Sequence, residues 1–294
     1  MKIESIKKIE NEKIIISELF FLFFNSRSSK KHFTPIPKSF NLGIVDEITS
    51  SILNEKRILN IYLPQGYNKQ ERYPVIYVLD GSADEDFIHI AGLVQYFTFP
   101  WIERIPKSIV VGIANKDRKR DFTSIPNQQI VRDRYPTSGG SDKFMAFIEN
   151  ELQPYISKNY TTTNEKTIIG QSLGGLLATE ILFKKPHLFD QYIIISPSLW
   201  WNDGELLKLN PDVLKENFQQ NKSIYIGVGK EGLGPIFDNH VMEVDANLLF
   251  DKIKYGKSKT VKVVFDYLPE EDHATVTHPA VFNAFKLLYP KKNH

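Results

Sequence analysis

The sequence predicts an α/β fold with a mostly parallel central sheet and helices on both faces. Three observations carry that expectation. Short, nearly continuous apolar runs recur at Val75–Leu79, Ile109–Ile113, Thr167–Ile169, Tyr192–Ile195, Ile224–Val228 and Val261–Leu268. They are rich in Ile, Val and Tyr, as strands buried on both faces of a parallel sheet are. Between them lie segments with helical spacing. Phe144, Phe147, Ile148 and Leu152 fall on one face of Phe144–Tyr155, and Leu173–Phe183, Ala246–Ile253 and Val281–Leu288 are further helices. Strand alternating with helix requires right-handed crossovers, which put helices on both sides of the sheet.

The remaining segments frame this pattern. Arg57–Pro64 alternates as a half-buried strand, and Phe40–Leu53 precedes it as an antiparallel partner. Residues 82–100, 115–141 and 198–222 carry no clear period and are expected to be the loops that set specificity. There is no internal repeat. The expected organisation is one catalytic domain over 39–294, preceded by an extension over 1–38.

Composition narrows the function. The chain has 294 residues, 37 basic and 35 acidic, with a formal net charge of +2. That balance speaks against a nucleic-acid binder, which shows a basic excess. The absence of cysteine excludes disulfides, thiolate metal sites and a cysteine nucleophile. Near the N-terminus, Ile14–Phe24 is strongly apolar and follows Lys13. Glu18 interrupts it, no small-residue cleavage site follows, and it falls short of the roughly 20 residues a membrane span needs. A degenerate export signal competes with a surface or disordered helix, and a cytoplasmic location stands slightly ahead of an exported one. No integral membrane span is expected.

The sharpest chemical signal is Gly170-Gln171-Ser172-Leu173-Gly174-Gly175. An apolar strand precedes it, and a small-residue helix follows. This strand–turn–helix context is that of a nucleophile elbow, the mark of the α/β-hydrolase fold. The turn is so tight that the nucleophile is held in a strained conformation, and glycines leave room for the crossing strand and helix. Ser172 Oγ then stands at a helix N-terminus, where backbone N–H groups favour developing negative charge.

A serine needs a base. In this fold the order along the chain is Ser, acid, His, with the histidine after the last strand. His32 and His89 come too early, His187 ends the helix after the nucleophile, and His294 is terminal. His273 follows Val261–Leu268 by a short acidic loop and is the expected base, with His278 as runner-up. The acid should follow Ser223–Gly229. Glu231 is the first carboxylate there and Asp238 the alternative, while Glu270, Glu271 and Asp272 read as a solvated loop. A dyad with no third member stays open. For the oxyanion hole, the N–H of Leu173 is one expected donor. Gly81 lets the backbone approach closely in the loop after Val75–Leu79, which makes Ser82 the other candidate.

These features resemble the esterase family that includes enterobactin and bacillibactin esterases, esterase D, and some feruloyl and acetylxylan esterases. The likeness covers roughly residues 45–290. It is carried by Ile61-Tyr-Leu-Pro-x-Gly66-Tyr67, Pro74-Val-Ile-Tyr-Val-Leu-Asp-Gly81, Arg120-Asp-Phe-Thr123, Gly139-Gly140 with Phe144, Pro154-Tyr-Ile, the Ser172 elbow, Ser196-Pro-Ser-Leu-Trp-Trp201 and Asp272-His273. The Ser-Pro-Ser-Leu-Trp-Trp piece is most similar to the siderophore-esterase branch, which cleaves a cyclic trilactone bearing catechol arms. Gln171 and Leu173 depart from the family, where His often precedes the serine. Trp200 and Trp201 stand just after a strand end, where they can stack on a ligand or belong to the core. Gly81 and Arg120 are further substrate-contact candidates, with Arg118, Lys119, Arg132 and Arg134 in the same basic region.

The resulting expectation is a serine carboxylic-ester hydrolase with a small-molecule ester as partner, no cofactor and no metal. Its rivals are a carbohydrate-active acetyl or feruloyl esterase, an acyltransferase, and a non-catalytic ligand-binding module.

Overall fold

A computed structural model describes residues 39–237 and 239–291. The extension 1–38, with Ile14–Phe24 and His32, lies outside the described residues, as do Asp238 and His294. Everything below concerns the unit Asn41–His294.

Eight strands form one sheet in the order β1-β2-β4-β3-β5-β6-β7-β8. They are β1 (Ile44–Ser50), β2 (Glu55–Tyr62), β3 (Tyr73–Val78), β4 (Ile109–Ile113), β5 (Thr162–Gln171), β6 (Gln191–Ile195), β7 (Lys222–Gly229) and β8 (Val261–Leu268). β2 runs antiparallel to both β1 and β4, and every other neighbouring pair is parallel. Each apolar run read from the sequence is a strand of this sheet, and β1 is the expected partner of β2.

Strand alternation divides the core into two layers. Tyr77, Ile168, Ile194 and Ile226 face one side, where helices α2 (Ser141–Phe147), α3 (Gln153–Asn159), α4 (Leu173–Lys184) and α5 (Met242–Lys254) pack. A π-helical turn, Ile148–Leu152, joins α2 to α3. Ile76, Val78, Ile169, Ile193, Ile195 and Tyr225 face the other side, under helices α1 (Phe87–Phe97) and α6 (Thr277–Leu288). α4 is buried along its length from Leu173 to Phe183. Its small first-turn residues let it lie tight against the sheet, which fixes the position of whatever side chain starts it. Among the described residues, no helix is long and apolar enough to cross a membrane.

Candidate active site

The site is built at the carboxyl ends of the parallel strands, the position that open α/β sheets reserve for ligands. β5 passes into α4 through Ser172 alone. Ser172 has φ 59° and ψ −119°, a conformation that non-glycine residues rarely adopt. Neighbouring backbone enforces it. The Ser172 N–H donates to the Ile195 carbonyl at 3.0 Å, and the Ser198 N–H donates to the Ser172 carbonyl at 3.1 Å. A Cβ on Gly170 would stand 2.4 Å from the Gly174 carbonyl oxygen, so only glycine fits where strand and helix cross.

The loops after β7 and β8 bring Glu231 and His273 to Ser172. His273 Nε2 lies 3.0 Å from Ser172 Oγ, and His273 Nδ1 lies 2.6 Å from Glu231 Oε2. The Glu231 side chain is buried, whereas the imidazole is half exposed. Glu231 Oε1 accepts from the Ser196 hydroxyl and, at 3.3 Å, from the Gly229 N–H. The backbone of this loop is pinned from α5. The Glu243 carboxylate accepts the Glu231 N–H at 2.7 Å and the Gly232 N–H at 2.9 Å. Gln171, before Ser172, donates its amide to the His273 carbonyl at 2.9 Å. Of the carboxylates nearer in sequence, Asp272 turns away and caps the Ala274 and Thr275 N–H groups.

A cavity of about 690 Å³ opens in front of Ser172 and His273. Lys116, Asp117, Arg118 and Lys119 line it, with Lys119 Nζ 5.5 Å from the centre of the Tyr135 ring, while Tyr135, Trp200, Leu233, Pro235 and Met242 supply apolar wall. Leu173 and Ser198 flank Ser172 within it, and Ser198 Oγ is 3.4 Å from Ser172 Oγ. Arg118 is fixed in place: Nε and Nη2 donate to the two oxygens of Asp80 at 2.6 and 3.0 Å. Nη2 also donates to the Gln171 carbonyl at 3.1 Å. Asp80 sits at the end of β3 with φ 55°.

Several expected contact residues stand elsewhere. Arg120 does not line the cavity, because its guanidinium is taken by Glu55 at 2.7 Å and Asp121 at 2.7 Å. Trp201 is core: it is buried, and its indole N–H donates to Ser124 Oγ at 3.1 Å. Trp200 is equally buried yet lines the cavity. Gly81 packs against Gly112, where an added Cβ would come within 2.4 Å of the Gly112 Cα. Ser82 is not among the lining residues, and its hydroxyl accepts from the Asn115 N–H at 3.4 Å. His278 is the runner-up base by sequence. Its ring faces His89 edge-on at 5.9 Å and makes no contact with Ser172. Burial and the neighbouring His89 hold its pKa below the ordinary histidine value.

Sequence reasoning missed the Asp80–Arg118 clamp and the supports of Glu231 from Ser196 and Glu243. Only the position of Asp80 at a strand end, inside the run ending at Gly81, was available as a signal. Among the described residues, no group of three or more His, Asp or Glu side chains is placed to hold a metal ion.

The geometry can be compared with known proteins. A family model described as "Putative esterase" matches residues 50–240. The ferri-bacillibactin esterase BesA of Bacillus subtilis is 29% identical over 259 residues, covering 82% of this chain and 88% of that protein. A siderophore triacetylfusarinine C esterase of Aspergillus fumigatus is 29% identical over 53% of this chain and 56% of its own length. Among solved structures, an IroE-like serine hydrolase from Shewanella oneidensis superposes with a TM-score of 0.74 at 32% identity, covering 84% of this chain and 80% of that one. The BES protein from Bacillus cereus gives a TM-score of 0.75 at 26% identity, over 87% of this chain and 99% of that one. The chain therefore belongs to the esterase family so described, as a carboxylic ester hydrolase on the α/β-hydrolase fold.

Proposed function

We propose that the chain is a serine esterase in which Ser172 is the nucleophile, His273 the base and Glu231 the acid, and that its substrate is an ester of an anionic, aromatic-armed siderophore. The observation that carries the chemistry is the continuous line from Ser172 Oγ through the two ring nitrogens of His273 to buried Glu231. His273 Nε2 takes the Ser172 proton as Oγ attacks the ester carbonyl. The carbonyl π pair moves onto its oxygen, beside the N–H of Leu173 at the start of α4. Ser82 at the β3 turn was the sequence candidate for a second donor. Arg118, which lines the cavity and reaches the Gln171 carbonyl, is the stronger one. Collapse expels the alcohol, which receives its proton from His273. Water then attacks the acyl-serine by the same route and releases the acid. Glu231 holds the tautomer that leaves Nε2 free and stabilises the imidazolium.

The cavity supports the substrate class. Lys116, Arg118 and Lys119, against the single carboxylate of Asp117 in the same stretch, together with the rings of Tyr135 and Trp200, suit a ligand that is both anionic and flat. The relatives named as a ferri-bacillibactin esterase and a siderophore triacetylfusarinine C esterase support the siderophore part of this reading; the aromatic arms rest on the cavity alone. The test is an ester panel on wild type and Ser172→Ala: p-nitrophenyl acetate and butyrate, a feruloyl ester and an iron-loaded catecholate trilactone. Wild type should cleave the trilactone with the highest kcat/KM, and Ser172→Ala should cleave nothing while folding normally. Activity surviving in Ser172→Ala would sink the nucleophile. A feruloyl ester preferred over the trilactone would move the substrate to plant-wall esters.

A further inference from the structure

We propose that Ser196 is a positioning residue for the triad acid: its hydroxyl locks the Glu231 carboxylate in the rotation that serves His273. The proposal rests on the reading of Glu231 as the acid. The two oxygens of that carboxylate have separate partners. Oε2 faces His273 Nδ1 at 2.6 Å. Oε1 is held by the protein, through the Ser196 hydroxyl and the more distant Gly229 N–H at 3.3 Å. The terminal torsion of a glutamate is soft and broadly populated. Without the hydroxyl, Oε1 keeps only the long amide contact, and the plane of the carboxylate is free to turn away from the imidazole.

The backbone at Ser196 points the same way. Ser196 follows the last residue of β6, is fully buried, and has φ 43°. Glycine takes that conformation without penalty, and a residue with a Cβ does not. The strain is held by the Ser196 N–H, which donates to the Gly227 carbonyl at 2.8 Å and extends the strand pairing by one residue. Pro197 follows and stiffens the turn. A strained serine where glycine would fit identifies the hydroxyl as the group the position needs. The first serine of Ser196-Pro197-Ser198 thus acts on the acid, a role separate from that of the tryptophans that follow it.

The strain supplies the test. Ser196→Gly removes the hydroxyl but relieves the backbone, and the relief offsets part of the lost hydrogen bond, so its Tm should stay within a few degrees of wild type. Its kcat on p-nitrophenyl butyrate should nevertheless fall by about tenfold with KM unchanged, a loss of orientation rather than of binding. Labelling of Ser172 by a fluorophosphonate should slow by the same factor. In a Glu231→Ala background the same substitution should change kcat by less than about twofold, because the group it acts through is gone. A Ser196→Gly enzyme with kcat within about twofold of wild type would overturn the proposal, as would an equal loss in the Glu231→Ala background. Unimpaired activity in Glu231→Ala alone would instead remove Glu231 as the acid, and this proposal with it.

Discussion

Asp80 grips Arg118 with both carboxylate oxygens, and the guanidinium reaches on to the carbonyl of Gln171, the residue before Ser172. A cation on a free side chain would spread over many positions. This one is a planar fork fixed at three points, so its charge stands at one place on the cavity wall. Lysine supplies the charge without the fork. In Arg118→Lys, KM for an ester bearing a carboxylate should rise by about tenfold, while KM for a neutral ester of equal size should change by less than about threefold. Raising the salt concentration should shrink the difference, because the side chain is partly exposed and screened. Michaelis constants for the matched pair at low and high salt check this. Equal rises in KM on both esters would show that the fork does not read the charge of the substrate; its part beside the oxyanion would show separately, as a fall in kcat on both.

Glu243 supports Glu231, the proposed acid, from behind. Its carboxylate, in the first turn of α5, accepts the N–H groups of both Glu231 and Gly232. Glu243→Ala leaves two backbone donors in need of water. It should cost about 1–3 kcal/mol of stability and lower kcat more than it raises KM. Glu243→Gln keeps one acceptor oxygen and should recover part of both. Thermal melts and steady-state kinetics on the two variants decide it. Kinetics unchanged in Glu243→Ala would detach the loop backbone from the chemistry.

What the sequence made legible was whatever depends on neighbours in the chain. The elbow is a local steric problem, so Gly170, Ser172 and Gly174 announce it themselves. His273 and Glu231 follow from chain order, since each lies just past the end of a recognisable strand. Choices between near-identical neighbours were not legible. Arg118 and Arg120 share one four-residue helical turn, Arg118–Asp121, and differ only in direction: one meets Asp80 across the site, the other meets Glu55 on β2. Those partners are distant in sequence, and no periodicity reveals them. The same holds for Ser196 and Glu243, whose roles depend on where Glu231 comes to rest. α1 went unseen within 82–100 because exposed Ile88 and Tyr96 blur its apolar face.

Trp200 and Trp201 should separate by substitution in the same way. Trp201 is enclosed beside Tyr135, at 5.4 Å, and bonds Ser124 through its indole N–H. Trp201→Phe loses that bond and leaves a gap, which should cost about 2 kcal/mol and leave KM unchanged. Trp200→Phe trims the cavity wall. It should raise KM for esters with aromatic acyl groups by about tenfold and spare acetyl esters. Denaturant melts set beside KM values for the two ester types test the division. A KM effect in Trp201→Phe, or none in Trp200→Phe, would reverse the assignment.

Asp86 gives the fold a defined pH dependence. It stands just before α1, and burial, with the charge of Asp80 beside it, raises its pKa from 3.8 to about 6; His89 and Arg118 offset only part of that. The folded state therefore binds this proton more tightly than the unfolded chain does. Between the two pKa values, stability falls as pH rises, and the full cost of the charged carboxylate is present above pH 6. Asp86→Asn removes the charge and keeps a side chain suited to a helix start. It should raise stability at about pH 7.5 by about 1 kcal/mol, a figure reduced from the full shift because the carboxylate is partly solvated. The gain should shrink through about pH 5 and vanish near pH 4. Melting temperatures of both proteins across that range test the sign. A gain that holds constant with pH would mean that packing, rather than the charge of Asp86, sets the difference.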